Sequence, residues 1–137
     1  VDILDVVLER AMDLAEFVKG TAPVQARGHL MDQGRLTALY PTADLVVNCT
    51  PVGMHPGVGN SPVNSLEGMK PEGVAYDLIY NPPFTRFLGM ARNQRLHTIN
   101  GSAMLVHQGA LTLKILTGAD PPVAFMKEVI NHAIAPA

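Results

Sequence analysis

The sequence has little of what several classes of protein require. Its 137 residues include one cysteine, no tryptophan and only 5% aromatic residues. A single cysteine cannot form an internal disulfide, so a disulfide-stabilised secreted domain is excluded and a reducing, cytoplasmic location is expected. No apolar run approaches the roughly 20 residues that a membrane-spanning helix needs. No membrane partner is therefore predicted.

An excess of charge of one sign is also absent. Ten Lys and Arg residues against 12 Asp and Glu residues give a formal net charge of -2. Nucleic-acid-binding domains usually carry a basic patch, so no nucleic-acid partner is predicted. The spacing of Cys49, His55 and His107 matches no zinc pattern, so no metal is predicted. A hydrophobic content of 47% with 16% charged residues supports one domain over residues 1–137 with a buried core.

Two kinds of apolar segment alternate along the chain. Short β-branched segments predict strands at residues 1–6, 24–28, 43–48, 73–80 and 96–99. Apolar residues at helical spacing predict helices at residues 8–18, 35–40, 83–91, 102–116 and 121–134. Gly20 is placed to end the first helix, and Pro83 is placed in the first turn of the third. The alternation predicts an α/β fold, a parallel sheet with helices on both faces.

Ligands bind such sheets at the C-terminal ends of the strands, so the segments after the strands are the candidate site. Asp5 ends the first strand, where a carboxylate can accept hydrogen bonds from the ribose hydroxyls of a dinucleotide. The same carboxylate would repel a 2′-phosphate. Asp5 equally fits an acidic residue that stabilises the N-terminus of the following helix.

Three further segments follow later strands. Residues 48–54 begin a long loop rich in Pro and Gly, residues 76–83 carry two tyrosines and an aspartate, and residues 100–110 begin a helix at a glycine. Each also has an ordinary interpretation, as a turn, as a strand end with core packing, or as a helix start. Gln108 lies in an otherwise apolar helix and must find a partner or face a cleft. No Gly-x-Gly-x-x-Gly segment, the usual pyrophosphate-binding signature, is present.

Taken in order, these segments resemble the shikimate dehydrogenase family. Residues 48–54 are similar to that family's Asn-Ala-Thr-Pro-x-Gly-Met segment. Residues 76–83, with Thr85 after them, resemble its Tyr-Asp-x-x-Tyr-x-Pro-x-x-Thr strand end. Residues 100–110 resemble its Asn/Asp-Gly-x-x-Met-Leu-x-x-Gln-Ala helix, and residues 117–123 resemble its Trp/Thr-Gly-x-x-Pro tail. Any one of these motifs is weak, but four in this order are specific.

The resemblance implies a fold and an activity. It implies a Rossmann-type sheet that forms the C-terminal, NAD(P)-binding domain of an enzyme. That enzyme would reversibly reduce 3-dehydroshikimate to shikimate in aromatic amino acid biosynthesis, with NADP or NAD. A related branch oxidises quinate or shikimate with NAD. The residues that would line the nicotinamide and its ribose are Thr50, Leu78, Gly101 and Met104, those that would contact the substrate are Tyr80 and Gln108, and Asn48 would support the cofactor loop.

The sequence departs from the family in what it omits. The first strand with its Gly-rich loop, and the N-terminal domain with a catalytic Lys and Asp, have no counterpart here. No catalytic residue is therefore assigned, and the chain, which lacks an initiator Met, is interpreted as a fragment that is inactive alone. The strands at residues 1–6 and 43–48 are expected to pair with each other or to borrow a strand. Its source would be a missing N-terminal segment, a second chain or a homo-oligomer.

A second departure concerns the cofactor. The family's Asn-Arg-Thr reads Asp5-Val6-Val7, so the arginine that would clamp a 2′-phosphate is lost, although Arg10 matches a second basic position. One cation fewer and one carboxylate more favour NAD over NADP. Two other readings stay open. The chain could be a non-catalytic dinucleotide-binding module, or another α/β oxidoreductase such as a folate- or tRNA-linked dehydrogenase relative.

Overall fold

The computed structural model describes residues 1–134 as five short strands and five α-helices. The strands are β1 (Asp2–Asp5), β2 (Arg27–Leu30), β3 (Leu45–Asn48), β4 (Val74–Asp77) and β5 (His97–Ile99). The helices are α1 (Leu8–Thr21), α2 (Gln33–Leu39), α3 (Arg86–Asn93), α4 (Ser102–Thr117) and α5 (Val123–Ile134). No helix among these residues is long and apolar enough to cross a membrane.

Every strand pairing among the described residues is parallel, which confirms the predicted α/β class. β1 pairs with β2 in one sheet, and β3, β4 and β5 form a second sheet in that order. The chain correspondingly divides into two compact units, Val1–Thr42 and the chain from Ala43 onward. Which strand lies along the other edge of β1 and of β3 stays a prediction.

The first unit is built on close contact between β2 and α1. Ala11 and Ala15 of α1 are buried at 1% and 2% exposure. The strand predicted at residues 24–28 begins later, because the Val24 amide donates to the Ala22 carbonyl in a turn and Arg27 is the first residue to pair with β1. The first helix also runs past Gly20 to Thr21, since the Ala22 amide still donates to Val18.

The second unit has its core between the sheet and α3. Ala75, Phe87, Leu88 and Ala91 are buried. The segment between β3 and β4 contains no helix or strand over residues 49–73, so the long loop predicted to begin at residues 48–54 continues to β4. Val63, Leu66 and Met69 bury their side chains and so attach this segment to the core. Long segments held in this way can keep a defined shape without secondary structure.

Two element boundaries near the candidate site differ from the prediction. α3 begins at Arg86 and not at Pro83, because the Thr85 hydroxyl accepts a hydrogen bond from the Leu88 amide and caps the helix. The Pro83 carbonyl is used elsewhere, as an acceptor for the Asn100 side chain at 2.9 Å. β4 ends at Asp77 rather than at Tyr80, so residues 78–80 form part of the site and not of the strand.

Candidate functional site

Asn48, the last residue of β3, organises the turn that follows it. Its side chain is buried, and its carbonyl Oδ1 accepts from the amide of Thr50 at 2.9 Å and from the Thr50 hydroxyl at 2.8 Å. Its Nδ2 donates to the Val52 carbonyl at 3.3 Å. The Thr50 hydroxyl in turn accepts from the Val52 amide at 3.2 Å. One side chain therefore determines the position of Thr50 and the path of the chain through Val52.

The same turn requires a glycine at its end. Gly53 has a φ of 107°, a conformation that L side chains rarely adopt. A Cβ there would also lie 3.3 Å from the Asn60 carbonyl and 3.7 Å from the Thr85 Cβ. The Pro/Gly content of residues 48–54 thus reflects a specific backbone path.

A buried carboxylate joins this turn to the next strand. Asp77 ends β4 with 0% exposure. Its Oδ1 accepts from Asn48 Nδ2 and from the Ile79 amide, each at 3.1 Å, and its Oδ2 accepts from the Thr85 hydroxyl at 2.5 Å. The Leu78 amide also donates to the Asn48 main-chain carbonyl at 3.1 Å. The ends of β3 and β4 are therefore connected through both main chain and side chains.

Asn100, directly after β5, repeats the arrangement found at Asn48. Its Oδ1 accepts from the amide of Ser102 at 3.2 Å and from the Ser102 hydroxyl at 2.7 Å. Its Nδ2 donates to the Pro83 carbonyl. At the C-terminal ends of β3 and β5, an asparagine thus holds a hydroxyl-bearing residue two positions later.

Gly101 brings the start of α4 against the end of β4. Its amide donates to the Ile79 carbonyl at 3.0 Å. A Cβ at this position would lie only 1.9 Å from the Leu78 carbonyl oxygen and 2.6 Å from its carbonyl carbon. Since β3, β4 and β5 are neighbours in register, Asn48, Thr50, Leu78 and Gly101 lie together at one edge of the sheet.

Three other predicted site residues are accessible to a ligand. Tyr80 follows Ile79 and is 39% exposed, and Met104, in the first turn of α4, is 49% exposed. Gln108 is exposed on the same helix, and its amide nitrogen donates to the Leu105 carbonyl at 3.0 Å. The side-chain carbonyl of Gln108 is therefore available to accept a hydrogen bond from a ligand.

Comparisons with known proteins show what the chain as a whole is similar to. Residues 101–130 match the family described as Shikimate 5'-dehydrogenase C-terminal domain. A shikimate dehydrogenase (NADP(+)) from Syntrophomonas wolfei is 43% identical over 133 residues, which are 97% of this chain and 46% of that protein. The chain is similar to shikimate dehydrogenases over nearly its whole length. It spans about half the length of the relatives that it matches.

Solved structures of the family have the same fold. Shikimate 5-dehydrogenase from Listeria monocytogenes, in complex with shikimate and NAD, matches with a TM-score of 0.82 and 29% identity over 94% of this chain and 46% of that one. Shikimate 5-dehydrogenase from Thermus thermophilus, in complex with NADP(H) and shikimate, matches with a TM-score of 0.77 and 33% identity over 97% of this chain and 46% of that one. These matches confirm the Rossmann-like fold expected from the motifs.

The residues predicted to discriminate between cofactors lie in the first unit of the chain. Asp5 ends β1, and its Oδ1 accepts from the Val7 amide at 2.8 Å. Arg10 is exposed on α1. The bond to Val7 agrees with the interpretation of Asp5 as a carboxylate at a helix start, and its role toward a ribose stays a prediction.

Asp77 and Thr85 are members of the network that the motif comparison did not assign to the site. A signal was available, because an aspartate in an apolar strand is buried only when donors surround it. No cluster of three or more His, Cys, Asp or Glu side chains within residues 1–134 could hold a metal ion. The expected absence of a metal nevertheless stays a prediction.

Cys49 lies between Asn48 and Thr50, and the pKa of its thiol depends on the charge of Asp77. Partial burial, and then the negative charge of Asp77, raise the pKa of the Cys49 thiol above its ordinary value of 9.0. We expect Asp77→Asn to lower this pKa, because the nearby carboxylate no longer disfavours the thiolate. At pH 8 the variant should therefore react faster with a thiol reagent than the unmodified protein.

The measurement is a labelling rate at position 49, followed by mass spectrometry between pH 7 and 10. The two rates should converge at the alkaline end, where both proteins are thiolate, and in denaturant, where Asp77 is distant. Equal rates at pH 8 in the folded proteins would show that Asp77 does not influence the thiol.

Proposed function

We propose that this chain is the dinucleotide-binding part of an enzyme that reversibly reduces 3-dehydroshikimate to shikimate in aromatic amino acid biosynthesis. The observation that carries the proposal is the contact of Gly101 with Leu78. The N-terminus of α4 therefore lies against the end of β4, within the segment at residues 76–83 that resembles a family motif. A backbone that approaches so closely leaves room for a flat ring beside it, and a helix start offers N–H groups and positive potential.

Each site residue has a role in this proposal. A bound nicotinamide dinucleotide supplies the hydride donor or acceptor. Thr50 and Leu78, together with Gly101 and Met104, line the nicotinamide and its ribose. Tyr80 and Gln108 contact the substrate, for which their exposed polar groups are suited. The buried Asn48 supports the loop.

Proton transfer is assigned to residues outside this sequence. The family's Lys and Asp have no counterpart here, so the 137-residue chain should bind the dinucleotide without turning over substrate. The complete reading frame and the isolated chain are therefore expressed and compared, with shikimate and quinate as substrates. We expect dinucleotide reduction by the first protein and none by the second. Dinucleotide binding without turnover by the complete protein would instead support a non-catalytic module.

We further propose that NAD is accepted at least as well as NADP, although the S. wolfei relative is named as NADP(+)-dependent. Asp5 would accept from the adenosine ribose hydroxyls and repel a 2′-phosphate, and Val6 replaces the family's phosphate-clamping arginine. Val6 is 71% exposed, so an arginine fits there. We expect Val6→Arg to raise kcat/KM with NADP by about tenfold, the effect of one charge-assisted hydrogen bond.

The measurement is kcat/KM with each cofactor for the complete protein and for Val6→Arg, with Val6→Leu as the control of similar size. Val6→Leu should leave the ratio of the two cofactors unchanged. A strong preference of the unmodified protein for NADP would contradict the proposal.

A partner strand completes this proposal. β1, β2, β3 and β5 each have one neighbouring strand among the described residues. Leu45 and Val47, which lie on one face of β3, are 53% and 38% exposed, so that face is uncovered as well. We propose that a strand from the rest of the protein, or from a second copy, covers such an edge in a cytoplasmic enzyme. Light scattering of the isolated chain should then show self-association, and a stable monomer would count against it.

A further inference from the structure

The carboxylate of Asp77 is buried and is held by neutral donors. Its exposure is 0%, and it takes part in none of the ion pairs formed between the described residues. Its three hydrogen bonds come from Asn48 Nδ2, the Ile79 amide and the Thr85 hydroxyl. Burying a carboxylate is costly unless hydrogen-bond donors surround it, so the burial of Asp77 depends on these three donors.

The bond to Asn48 determines which way that side-chain amide faces. Rotation of an Asn side chain by 180° exchanges its carbonyl oxygen and its NH₂ group, and one orientation only suits each set of partners. Asp77 Oδ1 can only accept, so Nδ2 of Asn48 must face it. The Asn48 carbonyl oxygen then faces Thr50, where it accepts from both the amide and the hydroxyl.

A second acceptor for Nδ2 exists but cannot replace Asp77. The Val52 carbonyl lies 3.3 Å from Nδ2, farther than the 3.1 Å of Asp77 Oδ1. Val52 also belongs to the turn that Asn48 holds, so it moves with that turn. Asp77 instead belongs to β4, and the Thr85 hydroxyl at the start of α3 fixes its other oxygen. The Asn48 side chain is therefore fixed relative to the sheet by Asp77, and not only relative to its own turn.

We infer that Asp77 is a positioning residue that acts through Asn48 to hold Thr50 where the dinucleotide requires it. The inference rests on the proposed function for the role of Thr50. The hydrogen bonds that join Thr85, Asp77, Asn48 and Thr50 are present in the protein without ligand, so they do not depend on the proposed function.

The test measures the turn and the cofactor separately, in the complete protein. Hydrogen exchange at the Thr50 amide reports the turn without ligand, and KM for the dinucleotide reports its use. We expect Asp77→Ala to accelerate Thr50 exchange and to raise this KM, each by about tenfold, as for loss of a hydrogen bond to a charged group. KM for shikimate should change much less. Leu88→Ala, a core truncation in α3, controls for lost stability and should change neither quantity comparably.

Conservative variants distinguish positioning from simple support of the fold. Asp77→Asn should behave like the unmodified protein, because its amide oxygen still accepts from Asn48 while its NH₂ group donates to the Thr85 oxygen. Asn48→Asp places two carboxylates together and should raise the dinucleotide KM at pH 8. The effect should diminish toward pH 6, as a shared proton restores the bond. The measurements on Asp77→Asn and Asn48→Asp test the positioning role even if Asp77→Ala does not fold.

The outcomes separate the two proposals. If the unmodified protein binds no dinucleotide, the proposed function is wrong, whatever the exchange rates are. If it does bind, equal effects of Asp77→Ala and Leu88→Ala on Thr50 exchange and on KM would overturn the positioning role. So would faster Thr50 exchange with an unchanged KM, or a pH-independent defect in Asn48→Asp.

Discussion

Replacing Gly101 with alanine should destroy the native arrangement of α4 and β4. The φ of −75° at this position is one that alanine adopts readily, so the effect is steric. The new Cβ would lie 1.9 Å from the Leu78 carbonyl oxygen, an atom of the main chain that cannot rotate away. We expect a loss of about 3 kcal/mol or more in the free energy of unfolding, together with loss of dinucleotide binding. Denaturant unfolding and dinucleotide titration measure the two effects.

Gly109 provides the matched control on the same helix. A Cβ there would contact only the end of the flexible Met126 side chain, at an ordinary 3.5 Å. Gly109→Ala should therefore raise helix stability by about 0.5–1 kcal/mol, because alanine is the better helix former. Similar stability of the two alanine variants would show that Gly101 and Leu78 are not in close contact.

Gly28→Ala should have an effect of similar size in the first unit. A Cβ at Gly28 would lie 2.5 Å from three main-chain atoms of α1, in Ala11 and Met12. To admit it, α1 would have to move away from β2 and expose the buried Ala11 and Ala15. We expect the free energy of unfolding to fall by about 3 kcal/mol, measured from denaturant midpoints at constant slope.

Gly20, near the end of α1, is the control for this substitution. No atom lies within 4 Å of a Cβ built there. Gly20→Ala should therefore stabilise the chain by about 0.5–1 kcal/mol. If Gly28→Ala and Gly20→Ala shift the denaturant midpoint in the same direction, the close packing of β2 on α1 is refuted.

Where each element lies could largely be predicted from the alternation of apolar segments, but the element ends could not. Helix and strand ends depend on individual hydrogen bonds between residues that the pattern treats as equivalent. The Thr85 hydroxyl caps α3, which begins three residues after Pro83, and only the partner strand determines that β2 begins at Arg27. Gly20 is placed to end α1, but the helix continues to Thr21 because the Thr21 hydroxyl and the Ala22 amide donate to carbonyls of α1.

The site was predictable to a similar degree. The order of the strands places Asn48, Leu78 and Gly101 near one another once a parallel sheet is assumed. The relay through Asp77 was not predicted, because it depends on which oxygen of which side chain meets which donor. A buried aspartate in a strand motif shows that donors exist, but only coordinates show that one of them is Asn48 and another is Thr85.

The fit of Gly101 against the sheet also bears on how the protein ages. In an Asn-Gly pair the glycine nitrogen can attack the asparagine side chain, and this cyclisation leads to deamidation. Here the Gly101 nitrogen donates to Ile79, and both ends of the Asn100 carboxamide are bonded. Ring closure requires all of these contacts to open together. The rate at which aspartate and isoaspartate accumulate at position 100 during storage would therefore measure how often α4 separates from β4.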